Sequence, residues 1–181
     1  MSKFLIDSNW TLFLDRDGVI NHEAHLSYIN NWNEFKFYEG AKEAFKIFAA
    51  HFKYICIVTN QRGVAKGVTK IENLYSIHQK MTAEILEDGG RIDGIYFCAD
   101  ADLDSPDRKP NAGMATQAKK DFPAIDFSKS IMVGNNLSDM GFGRNIGAKT
   151  VFLTTTAPDT DPANECIDVM YGTLHQFALS L

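Results

Sequence analysis

Two carboxylates, Asp15 and Asp17, stand two positions apart where the apolar run Thr11–Leu14 ends, and Gly18 follows them. Such a pair is costly, because each charge raises the proton affinity of the other unless a counter-charge lies between them. A divalent cation of the Mg²⁺ kind would supply it, since Mg²⁺ favours oxygen ligands and keeps several of its waters. Gly18 permits the sharp backbone turn that must come next. The string Asp-Arg-Asp-Gly, taken alone, also fits an acidic turn that caps a strand.

Three further polar clusters follow apolar runs. Thr59-Asn60-Gln61-Arg62-Gly63, with Lys66 beyond it, combines a hydroxyl, turn amides and cations, the parts of a phosphate cradle. Arg108-Lys109-Pro110 precedes a helix start; there Lys109 could neutralise a transferring phosphoryl group and Arg108 could grip substrate oxygens with two N–H groups. Gly134-Asn135-Asn136 and Asp139 bring oxygen donors that can hold the same cation from the opposite side, although Asp139 also suits the first turn of a helix. Each cluster by itself matches a polar loop. Their shared order, acid pair then Thr/Asn then Lys then Asn/Asp, is what carries meaning.

The elements that must position these clusters alternate in kind. Thr11–Leu14, Tyr54–Val58, Gly94–Phe97, Ser130–Val133 and Thr150–Leu153 are near-continuous apolar runs, as expected for strands covered on both faces. Ala41–His51 and Ile71–Leu86 carry apolar residues at helical spacing, and Gly113–Asp121, Ser138–Asn145 and Leu174–Leu179 are shorter helical stretches. This alternation predicts an α/β fold: a doubly wound, Rossmann-like, mostly parallel sheet with helices on both faces. Ligands of such sheets sit beyond the carboxyl ends of the strands, where all four clusters fall. Only about two dozen residues separate the first strand from the first helix, too few for a large cap domain. The expectation is one domain spanning 1–181.

The composition narrows the partners. A formal net charge of −5 disfavours nucleic acid and anionic membranes, so an anionic substrate needs a local patch of Lys and Arg. Three widely spaced cysteines, Cys56, Cys98 and Cys166, suit reduced thiols and a cytoplasmic location. No apolar run reaches membrane-spanning length. A monomer or weak homodimer is expected. His22 and His25 could line a site entrance, whereas His51, His78 and His175 fall in helical stretches and read as packing or surface residues.

The strings Asp-Arg-Asp-Gly-Val-Ile-Asn (15–21), Thr-Asn-Gln-Arg-Gly-Val-Ala-Lys-Gly (59–67) and Arg-Lys-Pro-Asn-Ala-Gly-Met (108–114) resemble the haloacid dehalogenase-like hydrolases. Within that superfamily they are similar to the branch containing heptose bisphosphate and histidinol-phosphate phosphatases. The resemblance covers residues 12 to 153. It implies a Mg²⁺-dependent phosphomonoester hydrolase acting on a small phosphorylated metabolite, a sugar bisphosphate first and histidinol phosphate second. Asp15 would be the nucleophile and a metal ligand; Asp17 would be general acid and base, with its main-chain carbonyl on the metal. For that role Asp17 would need a raised pKa, expected from burial and from Asp15 beside it. Thr59 and Asn60 would bind phosphoryl oxygens, Lys109 would counter their charge, and Arg16, Arg62 and Arg108 would contact the substrate.

The chain departs from that pattern twice. The fourth motif has Asn135 and Asn136 where the heptose phosphatases carry Asp and Lys, so the cation loses a charged ligand unless Asp139 helps. The alternative reading is a catalytically silent phosphate-binding or regulatory domain. The positions of the branch's zinc loop read Cys98-Ala99-Asp100 and Ser105-Pro106-Asp107, and one soft ligand cannot hold a tetrahedral zinc, so no zinc is expected.

Overall fold

The protein is described by a computed structural model that covers residues 4–24 and 27–181. The first half alternates β1 (Thr11–Leu14), α1 (Ala41–His51), β2 (Tyr54–Asn60), α2 (Ile71–Glu87), β3 (Gly94–Cys98) and α3 (Gly113–Asp121). The second half continues with β4 (Ser130–Gly134), α4 (Leu137–Ile146), β5 (Lys149–Leu153), β6 (Val169–Tyr171) and α5 (Leu174–Leu179). All pairings between these strands are parallel, and the strands lie in the order β3-β2-β1-β4-β5-β6. This is the doubly wound α/β architecture expected from the alternation.

Each central strand buries both faces, which is why its sequence is apolar throughout. On one face Leu12, Leu14, Ile55, Ile57, Ile131 and Val133 pack against Phe45 and Phe48 of α1, Ile77 and Met81 of α2, and Phe177 of α5. On the other, Phe13, Cys56, Val58 and Met132 meet Met114 and Ala118 of α3 and Phe142 of α4. The alternation of neighbours such as Leu12 and Phe13 between the two layers is the strand period of two.

β1 pairs with β2 on one side and with β4 on the other, with Leu14 opposite Ile57 and Val133. The chain therefore winds outward from β1 in two directions, and the crevice above that reversal is where ligands of such sheets bind. Strand β2 runs two residues beyond the expected Val58, so Thr59 and Asn60 belong to the strand end rather than to a loop. Strand β6 was not expected. It has three half-buried residues at the sheet edge, too few to leave a period in the sequence. Between β1 and α1 the described residues form two isolated bridges, Asp17 with Asn21 and Asn21 with Phe37, and a 3-10 turn, Trp32–Glu34, whose Trp32 ring stacks on Phe35 at 4.9 Å between centroids.

Candidate active site

The carboxyl ends of β1, β2 and β4 open into a cavity of about 370 Å³ lined by Asp15, Asp17, Glu23, Thr59, Asn60, Arg108, Lys109, Asn135, Asn136, Ser138 and Asp139. Residues from all four sequence clusters thus meet in one place. The Asp15 amide donates to the carbonyl of Val133, which ties the end of β1 to the end of β4 and sets Asp15 beside Gly134.

Lys109 is the hub. Its Nζ lies 2.7 Å from Asp15 Oδ1, 2.8 Å from Asp139 Oδ1 and 2.7 Å from the Val58 carbonyl oxygen. Those three acceptors use all three ammonium protons, which is what a lysine 3 % exposed requires. Burial disfavours its charge, but Asp139 and Asp15 outweigh that and hold its pKa above the ordinary value. The converse acts on Asp15: desolvation pushes its carboxyl up to about 7, Lys109 pulls it back, and the charges of Asp139 and Asp17 add to the rise.

Asn60 was expected at the phosphoryl group. Its side chain instead clasps the Lys109 backbone, Oδ1 accepting from the amide at 3.0 Å and Nδ2 donating to the carbonyl at 3.3 Å. It fixes the loop that carries Lys109, while still lining the cavity. Thr59 is buried and accepts from Gln61 Nε2 at 2.9 Å, so its own hydroxyl proton remains for a phosphoryl oxygen.

Asp17 departs from the expectation that its pKa would be raised. Burial does push it up, but the Arg16 charge and hydrogen bonds from Asn21, Arg16 and Gln61 prevail, and the net shift is downward. Arg16 donates from Nε and NH2 at 2.9–3.2 Å, Asn21 Nδ2 at 2.9 Å and Gln61 Nε2 at 2.8 Å. Arg16 was expected to contact substrate. It is fully buried, and its remaining donors go to His78 Nε2 at 3.1 Å and Gln61 Oε1 at 3.3 Å, so it works on Asp17 from behind. Arg62, also expected at the substrate, does not line the cavity; it follows Gln61, whose side chain turns to Asp17 and Thr59. Arg108 does line it, half-buried, with one terminal nitrogen that has no hydrogen-bond partner among the described residues.

Asp139, a candidate metal ligand, has both oxygens engaged. Oδ1 takes Lys109, and Oδ2 accepts the amides of Asn135 (3.2 Å) and Asn136 (3.0 Å) in a capping box that starts α4. A cation in direct contact would have to displace the Lys109 charge. The other expected donors do fit Mg²⁺. Asp15 commits one oxygen to Lys109 and keeps the other. Asn135 turns Nδ2 to Thr156, which leaves Oδ1 as its free end. Three amides, of Val19, Ile20 and Asn21, converge on the Arg16 carbonyl and leave the Asp17 carbonyl out of the turn's hydrogen bonds. Three carboxylates here face only two buried cations, an imbalance that a divalent ion would reverse. Among the described residues no group of three or more His, Cys, Asp or Glu side chains could hold a metal, so the amide and main-chain oxygens are needed to complete this set.

His78, Glu23 and the run Thr154–Thr156 take part in or around the site without a sequence pattern that assigns them to it, and Gln61, within the second cluster, serves Asp17 rather than a phosphate. Only the threonine run, three hydroxyls directly after a buried strand, left a readable sign. His22 is exposed and packs tilted against Tyr38 outside the cavity lining, and His25 lies outside the described residues. At the two positions considered for zinc, Cys98 Sγ lies 3.8 Å from Ser105 Oγ.

The family model for Polynucleotide kinase 3 phosphatase matches residues 12–161. A D-glycero-alpha-D-manno-heptose-1,7-bisphosphate 7-phosphatase of Mycobacterium bovis is 32 % identical over 173 residues, 95 % of this chain and 91 % of the relative. One of Campylobacter jejuni, with the same name, is 38 % identical over 142 residues, 78 % of this chain and 80 % of that one. The crystal structure of a D,D-heptose 1,7-bisphosphate phosphatase from B. bronchiseptica, complexed with magnesium and phosphate, superposes with a TM-score of 0.82. That pair is 25 % identical, and the match covers 94 % of this chain and 96 % of the other.

Proposed function

The chain belongs to the polynucleotide kinase 3 phosphatase family of haloacid dehalogenase-like hydrolases, and on that premise we propose that it removes one phosphate from a heptose 1,7-bisphosphate through an aspartyl-phosphate on Asp15. The observation that carries this reading is Lys109, buried between Asp15 and Asp139 at the floor of a polar cavity. That ion pair serves a nucleophilic carboxylate: it aims one oxygen and offsets the repulsion between a carboxylate and a phosphate dianion.

Asp15 attacks phosphorus while the bond to the sugar oxygen breaks, and Thr59 donates to a phosphoryl oxygen. Asp17 passes a proton to the departing alkoxide, then takes one from the water that cleaves the aspartyl-phosphate. With Arg16, Asn21 and Gln61 donating to it, Asp17 is ionised at rest, which suits the second, proton-accepting step. The approach of a phosphate dianion raises its proton affinity for the first. Asp15, the Asp17 main-chain carbonyl and Asn135 Oδ1 are the atoms that would hold Mg²⁺, which supplies charge neutralisation at the transferring phosphoryl group. Arg108 lines the cavity and holds a nitrogen without a hydrogen-bond partner among the described residues, so it is suited to the second phosphate. No zinc is assigned, since Cys98 has an alcohol beside it where a second soft ligand would be needed. The whole of 1–181 is read as one catalytic unit of the cytoplasm, monomeric or weakly dimeric.

Phosphate release from both anomers of heptose 1,7-bisphosphate, other sugar bisphosphates, histidinol phosphate and p-nitrophenyl phosphate, with Mg²⁺ and with EDTA, tests the reading. Turnover of the heptose bisphosphate that stops with EDTA is the expected result. Binding of phosphate without any turnover would favour the silent domain instead.

A further inference from the structure

Strand β5 is followed at once by Thr154, Thr155 and Thr156, and this turn reaches back across two of the site's motifs. Thr155 Oγ1 donates to the Gly18 carbonyl at 2.5 Å, and Asn135 Nδ2 donates to Thr156 Oγ1 at 2.6 Å. Asn135 is 5 % exposed and packs so closely on Gly18 that a β-carbon there would come within 2.1 Å of Nδ2. The amide is therefore confined and must satisfy its polar ends locally.

A buried primary amide differs from a carboxylate in having a wrong way round. Its two ends are nearly alike in size but opposite in partial charge, and only the oxygen can face a dication. We propose that Thr156 is the positioning residue that makes Asn135 usable as a metal ligand, by accepting the NH₂ end and so leaving Oδ1 for the cation. The proposal rests on the Mg²⁺-dependent phosphatase reading and adds the outer contact that compensates for an amide in the fourth motif. Partners of this kind, touching the ligand rather than the metal, govern affinity because they fix which atom the ligand presents. Without an acceptor at 156 the NH₂ group would be buried unpaired, and the amide would gain by turning it toward the open, polar side, where it repels the ion.

The test is calorimetric titration of MgCl₂ into the unmodified protein, Thr156→Ser and Thr156→Val, with the Val change repeated in an Asn135→Asp background. Thr156→Val should weaken Mg²⁺ about tenfold or more, and Thr156→Ser should stay within about twofold, in line with other outer-contact losses. In the Asn135→Asp background the Val change should cost less than about threefold, because a carboxylate presents an oxygen either way. Melting without metal checks that all variants fold. Unchanged Mg²⁺ affinity in Thr156→Val overturns the proposal, as does an equal loss in both backgrounds, which would mark a packing effect. Absence of Mg²⁺ uptake by the unmodified protein would bring down the phosphatase reading, and this role with it.

Discussion

Asp15 and Lys109 are bound so tightly to one another that their removal should have distinguishable effects. Asp15→Asn keeps the size and a hydrogen-bond acceptor for Lys109 but removes the nucleophile, so kcat should fall by about a thousandfold or more while the fold survives. Lys109→Met should lose activity and also stability, on the order of 3 kcal/mol, because Asp15 and Asp139 are then left buried without their cation. Single-turnover assays and urea denaturation of both variants separate the two; full activity in Asp15→Asn would sink the nucleophile assignment. Why were these two residues readable in the sequence when Arg16 and Asn60 were not? Asp15 and Lys109 are defined by what they must be chemically, a carboxylate and a cation at strand ends. Arg16 is defined by where it points: a guanidinium between two aspartates could face the substrate or turn inward to Asp17, and His78, brought up by α2, decides. Asn60 offered two amide ends to phosphate and to the Lys109 backbone alike, and the latter lies 49 residues away.

Helix α2 contributes more than apolar packing, because it brings His78 against Arg16. A ring nitrogen 3.1 Å from a guanidinium must offer a lone pair, and burial, reinforced by the Arg16 charge, pushes the His78 pKa down to about 3 from 6.5. Between those values the unfolded chain binds a proton that the folded protein refuses, so this group's contribution to stability is full above pH 6.5 and is lost as pH falls toward 3. Asp15, raised from 3.8 to about 7, has the opposite slope over much of the same window, so the wild-type curve alone blends the two. The difference between wild type and His78→Gln isolates the histidine, since Gln can still accept from Arg16 and Asp15 is common to both. Urea midpoints from pH 6.5 to 4.5 should show the variant gaining on wild type by about 1 kcal/mol per pH unit; a constant difference would mean that His78 carries no proton linkage. The helical spacing marked α2 correctly and hid this, since a histidine at an apolar position reads simply as packing. In the same way the buried central strands were legible as unbroken apolar runs, whereas β6, half-exposed and three residues long, was not.

At the scale of the molecule the open question is which phosphate ester fits, because the family takes its name from an enzyme of polynucleotide ends. The charge distribution answers for the small sugar. The cavity lining has two cations, Arg108 and Lys109, against the carboxylates Asp15, Asp17, Glu23 and Asp139, on a chain of net charge −5. Lys109 is consumed inside the site, which leaves Arg108 for one further anionic group. A polynucleotide end brings flanking phosphates, each needing a cation along the track, and Glu23 at the rim would repel them. A heptose bisphosphate brings a single second phosphate and hydroxyls that Glu23 can accept from. The heptose bisphosphate should therefore exceed a 3′-phosphorylated oligonucleotide in kcat/KM by about a hundredfold or more, and Arg108→Ala should narrow that gap mainly by raising KM for the sugar. Lowering the salt from 200 to 50 mM should not rescue the oligonucleotide, because a chain of net charge −5 gains little from released counterions. Comparable turnover of the two substrates, or a steep salt dependence for the oligonucleotide, would mean that cations beyond the cavity rim recruit it and that the sugar is not the substrate for which this site is shaped.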